Sequence, residues 1–142
     1  MQPAAKNILA LDIGARRVGV ALAGDLARLP QPLTTLYRSD SFFDELKRIV
    51  TDEAVGLVVV GLPRGLNGQA TEQTATVEHF GRQIAEQLKL PIVWQDEALT
   101  SVKAKTELNH RQRHWNKTDV DSLAATYILE DYLREHPGAH HG

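Results

Sequence analysis

The chain has 142 residues, 42% of them apolar, a formal net charge of −2 and no cysteine. That length suits one domain with a core large enough to fold without staples, and the missing cysteines exclude disulfides, thiolate zinc sites and thiol nucleophiles while fitting a reducing, cytoplasmic setting. No apolar run approaches the roughly 20 residues of a membrane span, so no membrane partner is expected, and the slight acidic excess excludes a protein that coats nucleic acid through net charge alone.

Ile8 to Leu11 reads as a short buried strand and Val18 to Ala23 as a second, and the Gly14-Ala15-Arg16-Arg17 link between them predicts an antiparallel hairpin. Leu33 to Tyr37, behind Pro30 and Pro32, predicts a third strand at a sheet edge, where proline is tolerated. Between Asp40 and Asp52 the spacing of Phe43, Leu46, Ile49 and Val50 is helical, with Asp44 and Glu45 placed to favour the positive N-terminus. Leu57 to Val60 is an apolar strand ending at Gly61-Leu62-Pro63, Val77, Phe80, Ile84 and Leu88 mark a helix between Thr71 and Lys89, and Pro91 to Trp94 is a further strand. Two helices close the chain, Thr100 to Asn109 and Thr118 to Glu135, the second stopped by Pro137-Gly138. Residues 1–136 therefore read as one domain, and 137–142 as a polar tail expected to be disordered.

The order β-β-β-α-β-α-β-α-α predicts an α/β fold, a mixed sheet flanked by helices. In such sheets ligands collect at the carboxyl ends of the parallel strands. That rule selects Asp12, at the end of the first strand, and the pair Asp96-Glu97 after the last.

Each acid also has an ordinary structural use. Asp12 before Ile13-Gly14 suits a turn bonded to backbone amides, and Asp96 and Glu97 suit a helix N-terminus. Asp121 stands three residues after Thr118, the spacing of a capping box, so it also fits the role of a capping partner. Adjacent side chains point different ways, so one of Asp96 and Glu97 at most faces a site. If Asp12, Glu97 and Asp121 do converge, their like charges disfavour joint ionisation unless a cation joins them. Mg²⁺ or Mn²⁺ prefers such hard oxygen ligands and accepts phosphate oxygens as well. Two such ions about 3.5–4 Å apart suffice for phosphodiester hydrolysis without a side-chain nucleophile.

Basic residues lie apart from these acids. Arg16 and Arg17 sit in the hairpin link, Arg64 in the Gly61–Gly68 loop, and Arg111, Arg113 and Lys117 around Trp115. They are candidate phosphate contacts, with Trp115 able to stack on an unpaired base; the same residues also suit solvated loops. Gly61–Gly68 lacks the Lys-Ser/Thr ending of a P-loop. His110 and His114 have no third ligand nearby in sequence, so no zinc site is expected.

Five blocks, taken together, resemble the YqgF/RuvX family of the RNase H-like superfamily, whose members are described as Holliday junction resolvases or pre-16S rRNA nucleases. They are Leu11-Asp12-Ile13-Gly14 with Arg17-Val18-Gly19-Val20-Ala21; Pro32-Leu33; Val59-Val60-Gly61-Leu62-Pro63; Asp96-Glu97-Ala98-Leu99-Thr100-Ser101; and Val120-Asp121-Ser122-Leu123-Ala124-Ala125 with Ile128-Leu129. The match spans nearly the whole chain. The resemblance implies an RNase H-like fold, with a five-stranded sheet in the order 3-2-1-4-5. It implies a metal-dependent nuclease with Asp12, Glu97 and Asp121 as catalytic and metal-binding acids, and structured RNA or branched DNA as partner. The protein would act as a monomer or homodimer. Two positions depart from the family pattern: Ala98 replaces its usual arginine and Asn67 a frequent aspartate. Two other classes share an Asp-x-Gly first strand or the fold itself, namely a sugar-kinase or actin-like nucleotide-binding domain and a non-catalytic nucleic-acid module. The first generally needs two related domains, more than this length supplies.

Overall fold

The computed structural model describes residues 6–97 and 117–137, with Glu97, Lys117 and Thr118 given by their backbone alone. Within them run β1 (Asn7–Ile13), β2 (Arg17–Ala23), β3 (Gln31–Tyr37), α1 (Phe42–Asp52), β4 (Val55–Pro63), α2 (Glu72–Leu88), β5 (Ile92–Glu97) and α3 (Lys117–Glu135). The strands form a mixed sheet in the order β3-β2-β1-β4-β5. β1 and β2 are antiparallel, as are β2 and β3, whereas β1, β4 and β5 run parallel. This is the RNase H-like sheet order that the resemblance implied. The helix expected at 100–109 and the tail from 138 lie outside the described residues.

Local chemistry accounts for most boundaries. The β1–β2 link is closed by the Gly14 amide donating to the Arg17 carbonyl at 2.8 Å. β3 is an edge strand, and it accommodates Pro32 opposite Ala21, where the register slips between Val20 and Ala21. Thr71 caps α2 reciprocally with Thr74, whose hydroxyl also donates to the Pro63 carbonyl and so fastens the helix to the end of β4. β4 and β5 are longer than expected. Gly61-Leu62-Pro63 continues β4 instead of leaving it, because Gly61, Leu62 and Pro63 pair in parallel with Gln95, Asp96 and Glu97. A glycine and a proline that suggest a loop in sequence are thus held extended by the neighbouring strand. Asp96-Glu97 lies inside β5 and not beyond it.

The sheet separates two apolar layers. On one side Leu9, Leu11 and Ile13 of β1, Val18 and Val20 of β2, and Val58, Val60 and Leu62 of β4 meet Phe42, Leu46, Val77, Phe80 and Ile84 from α1 and α2. On the other, Ile8, Ala10, Ala21, Ala23 and Val59 meet Ala125, Ile128 and Leu129 of α3. The period-two alternation of β1 assigns its residues to the two layers. Each fully buried Leu, Val, Ile or Phe contributes about 1.5–3 kcal/mol relative to exposure, so both layers hold the sheet firmly. The second layer is thinner because alanines line it, which lets α3 lie close to the strands.

Candidate functional site

The same alternation decides where Asp12 points. It shares its parity with Ile8 and Ala10, so it belongs to the α3 face, one residue before the end of β1. Across the antiparallel pair it faces Gly19. At Gly19 the backbone of α3 approaches the sheet closely. A Cβ placed there would sit 1.9 Å from the Asp121 carbonyl oxygen and 2.3 Å from its carbonyl carbon. No side chain fits in that gap, and the Asp121 backbone therefore lies directly over the residue paired with Asp12. A glycine inside a strand often marks such a close approach; Gly19 was visible in sequence as part of the hairpin, but its partner lies on an element a hundred residues away.

The Asp121 carboxylate is held from β2. Arg17 Nε donates to Oδ2 at 2.6 Å, with both side chains about one-quarter exposed or less (25% and 21%). The hydrogen bond to Asp121, and then its charge, raise the Arg17 guanidinium above its ordinary range; partial burial opposes this, and Tyr37 adds a smaller push in the same direction. Arg17, expected to contact nucleic acid, gives its Nε to a carboxylate. Asp121 itself stands in the second turn of α3, since the helix is already under way at Lys117. Thr118 therefore lies within the helix, where an N-cap residue does not, and the capping-box use of Asp121 is not what the helix adopts.

At the other end of the site, Asp96 and Glu97 separate by parity. Trp94 and Ile92 pack with the α1/α2 layer and Val93 with the α3 layer, while Gln95 donates to Glu135 of α3 at 3.1 Å. Glu97 occupies the same-parity position as Val93 and Gln95, and Asp96 the opposite one. Asp96 is 68% exposed and accepts from Arg64 Nε at 3.1 Å, so Arg64 is also engaged with an acid. The side chain of Glu97 lies outside the described residues. Among the described residues no three acids or histidines converge in the manner of a completed metal cluster.

Arg16 is exposed in the hairpin link. Arg38, at the end of β3, was not singled out in sequence. Its Nη1 donates to the Gly14 carbonyl at 3.0 Å and its guanidinium lies 3.9 Å from the centre of the Phe80 ring, so it props the hairpin link against α2. Asn67 is exposed, its backbone N–H donating to the Gln69 side-chain oxygen at 2.9 Å. Arg111, Arg113, Trp115 and Ala98, together with the side chain of Lys117, lie outside the described residues. Among the described residues no helix is long and apolar enough to cross a membrane.

Comparison with known proteins gives a consistent picture. A family model described as RuvX, Holliday junction resolvase, matches residues 6–135. The chain is 41% identical over 132 residues to a Clostridium novyi protein named "Putative pre-16S rRNA nuclease", covering 89% of this chain and 97% of that one. It is 38% identical over 129 residues to a protein of the same name from Synechocystis, covering 88% and 85%. Among solved structures, T. thermophilus RuvC in complex with a Holliday junction substrate superposes with a TM-score of 0.55 at 13% identity, over 92% of this chain and 96% of that one, a likeness of fold.

Proposed function

The chain belongs to the RuvX family, and from that premise we propose that it is a metal-dependent nuclease which hydrolyses phosphodiester bonds of structured RNA in the cytoplasm, during maturation of the 5′ end of 16S rRNA. The observation that supports the proposal is that Asp12 is paired with Gly19, over which the Asp121 backbone lies on the same face of the sheet.

The donor set suits Mg²⁺ or Mn²⁺. Both described acids offer hard carboxylate oxygens, both are partly shielded from solvent, and no sulfur or imidazole competes with them among the described residues. In this reading Asp12, Asp121 and Glu97 hold two ions, which when bound place positive charge on the phosphoryl oxygens and acidify a water. The protein's own residues do the rest. β1 carries Asp12 near its end, Arg17 fixes the orientation of Asp121 through one oxygen, and the exposed Arg16 meets substrate phosphate. Arg17 and Arg64 reach substrate only with donors not given to Asp121 and Asp96; Arg111, Arg113, Trp115 and Lys117 complete the proposed contact surface.

Incubation of the purified protein with a precursor 16S rRNA fragment and with a four-way DNA junction, in Mn²⁺ and in EDTA, tests this directly. RNA cleavage that needs Mn²⁺ and is lost in Asp12→Asn is the expected result. Cleavage of the junction instead would move the substrate to branched DNA, the reading that the family description favours. Cleavage of neither would end the nuclease proposal.

A further inference from the structure

Tyr37 closes β3 at the free edge of the sheet and is 57% exposed. Single exposed aromatics are ordinary, and what distinguishes this one is its position. Tyr37 pairs with Arg17 across the β2–β3 ladder, just as Asp12 pairs with Gly19 across β1–β2. Residues directly opposite one another in antiparallel strands project to the same side. Asp12, Gly19, Arg17 and Tyr37 therefore share the α3 face, the same face on which Asp121 is held. From the strand and residue spacings, Tyr37 stands about 12 Å from Asp12 along the sheet. Arg17 lies between them, and Arg16 is exposed in the hairpin link beside it.

A half-exposed aromatic ring paired with an arginine, on the face of the sheet that carries the candidate carboxylates, has the composition of a platform for unpaired bases. Stacking is sequence-tolerant, since every base has a π-face, and neighbouring cations track the backbone. We infer that Tyr37 stacks on an unpaired base flanking the cleavage site on the β3 side, so that the chain prefers substrates with a single-stranded segment crossing the edge of β3. The inference rests on the nuclease reading above and adds to it a binding subsite and a structural class of substrate.

The test uses the full chain carrying Asp12→Asn, which prevents cleavage, and measures fluorescence anisotropy with a labelled single-stranded RNA and a blunt duplex RNA of the same sequence. Changing Tyr37 to alanine, or to leucine, which keeps apolar bulk without a ring, is expected to weaken single-strand binding about tenfold or more. Tyr37→Phe should bind as tightly as tyrosine, and duplex binding should hardly change. Thermal melts of each variant confirm that it is folded. Equal single-strand affinity for tyrosine and leucine, or an equal loss on both RNAs, would overturn the stacking role while leaving the nuclease reading intact. Failure of the chain with Tyr37 intact to bind either RNA would overturn the stacking role together with RNA as the substrate.

Discussion

The two faces of the sheet come from the same strands and are built to different ends. Toward α1 and α2, β1 presents Leu9, Leu11 and Ile13 to a layer that contains Phe42 and Phe80, whose ring centres are 5.4 Å apart. Toward α3, the same strand presents Ile8, Ala10 and Asp12, and β2 presents Ala23, Ala21, Gly19 and Arg17. Side chains shrink along β2 toward Gly19, and there the helix backbone meets the strand. The first face is filled by volume and the second is brought close by its absence. Close approach brings the Asp121 backbone over the residue paired with Asp12, and an arginine of β2 holds the Asp121 carboxylate.

Neighbouring residues on opposite faces give the sharpest way to break this comparison. Asp12→Asn is expected to lower the cleavage rate by at least about 100-fold with little change in melting temperature. Leu11→Ala should do the reverse, costing about 2–5 kcal/mol in urea unfolding while the folded fraction binds Mn²⁺ as before. If both variants lose stability equally and neither loses cleavage, the division of labour between the faces is wrong.

Gly19→Ala probes the close approach itself. The added methyl collides with the Asp121 backbone, so α3 must shift. Overpacking of this kind costs about 1–3 kcal/mol, and cleavage should fall further than the loss of folded protein explains. A variant as stable and as active as the parent would show that the helix does not sit where the site needs it.

Arg17→Gln removes the charge that holds Asp121. Positioning partners of metal-binding groups are generally worth about 10- to 100-fold in activity, and a loss in that range is expected with an unchanged thermal melt. The smallest effect belongs to Asp96→Asn. Its pairing with Arg64 is largely exposed, such pairs contribute about 0–1 kcal/mol, and cleavage should remain near the parental rate. Glu97→Gln, one residue along and on the other parity, should abolish it.

Much of this was legible in sequence. The hairpin, the edge position of the proline-bearing strand, the helical spacings around Leu46 and Ile84, and the placing of Asp12 at a strand end all follow from local patterns. Asp12 was readable because a single carboxylate interrupts an apolar run. The ends of β4 and β5 were not, because Gly61 and Pro63 are turn-formers by local rules and are held extended only by a strand thirty residues away. The ion pair of Arg17 was not readable for the same reason, since its carboxylate partner is 104 residues distant. Tyr37 drew no notice as the last residue of a short strand, and only the cross-strand register shows that it stands beside that arginine.

Mn²⁺ binding, followed by electron paramagnetic resonance of the free ion, addresses the α3 face without requiring any substrate. Asp12→Asn and Asp121→Asn should each weaken Mn²⁺ binding by at least about tenfold, and Asp96→Asn should leave it unchanged. Parental Mn²⁺ affinity in Asp12→Asn would contradict the claim that this face of the sheet is a metal site.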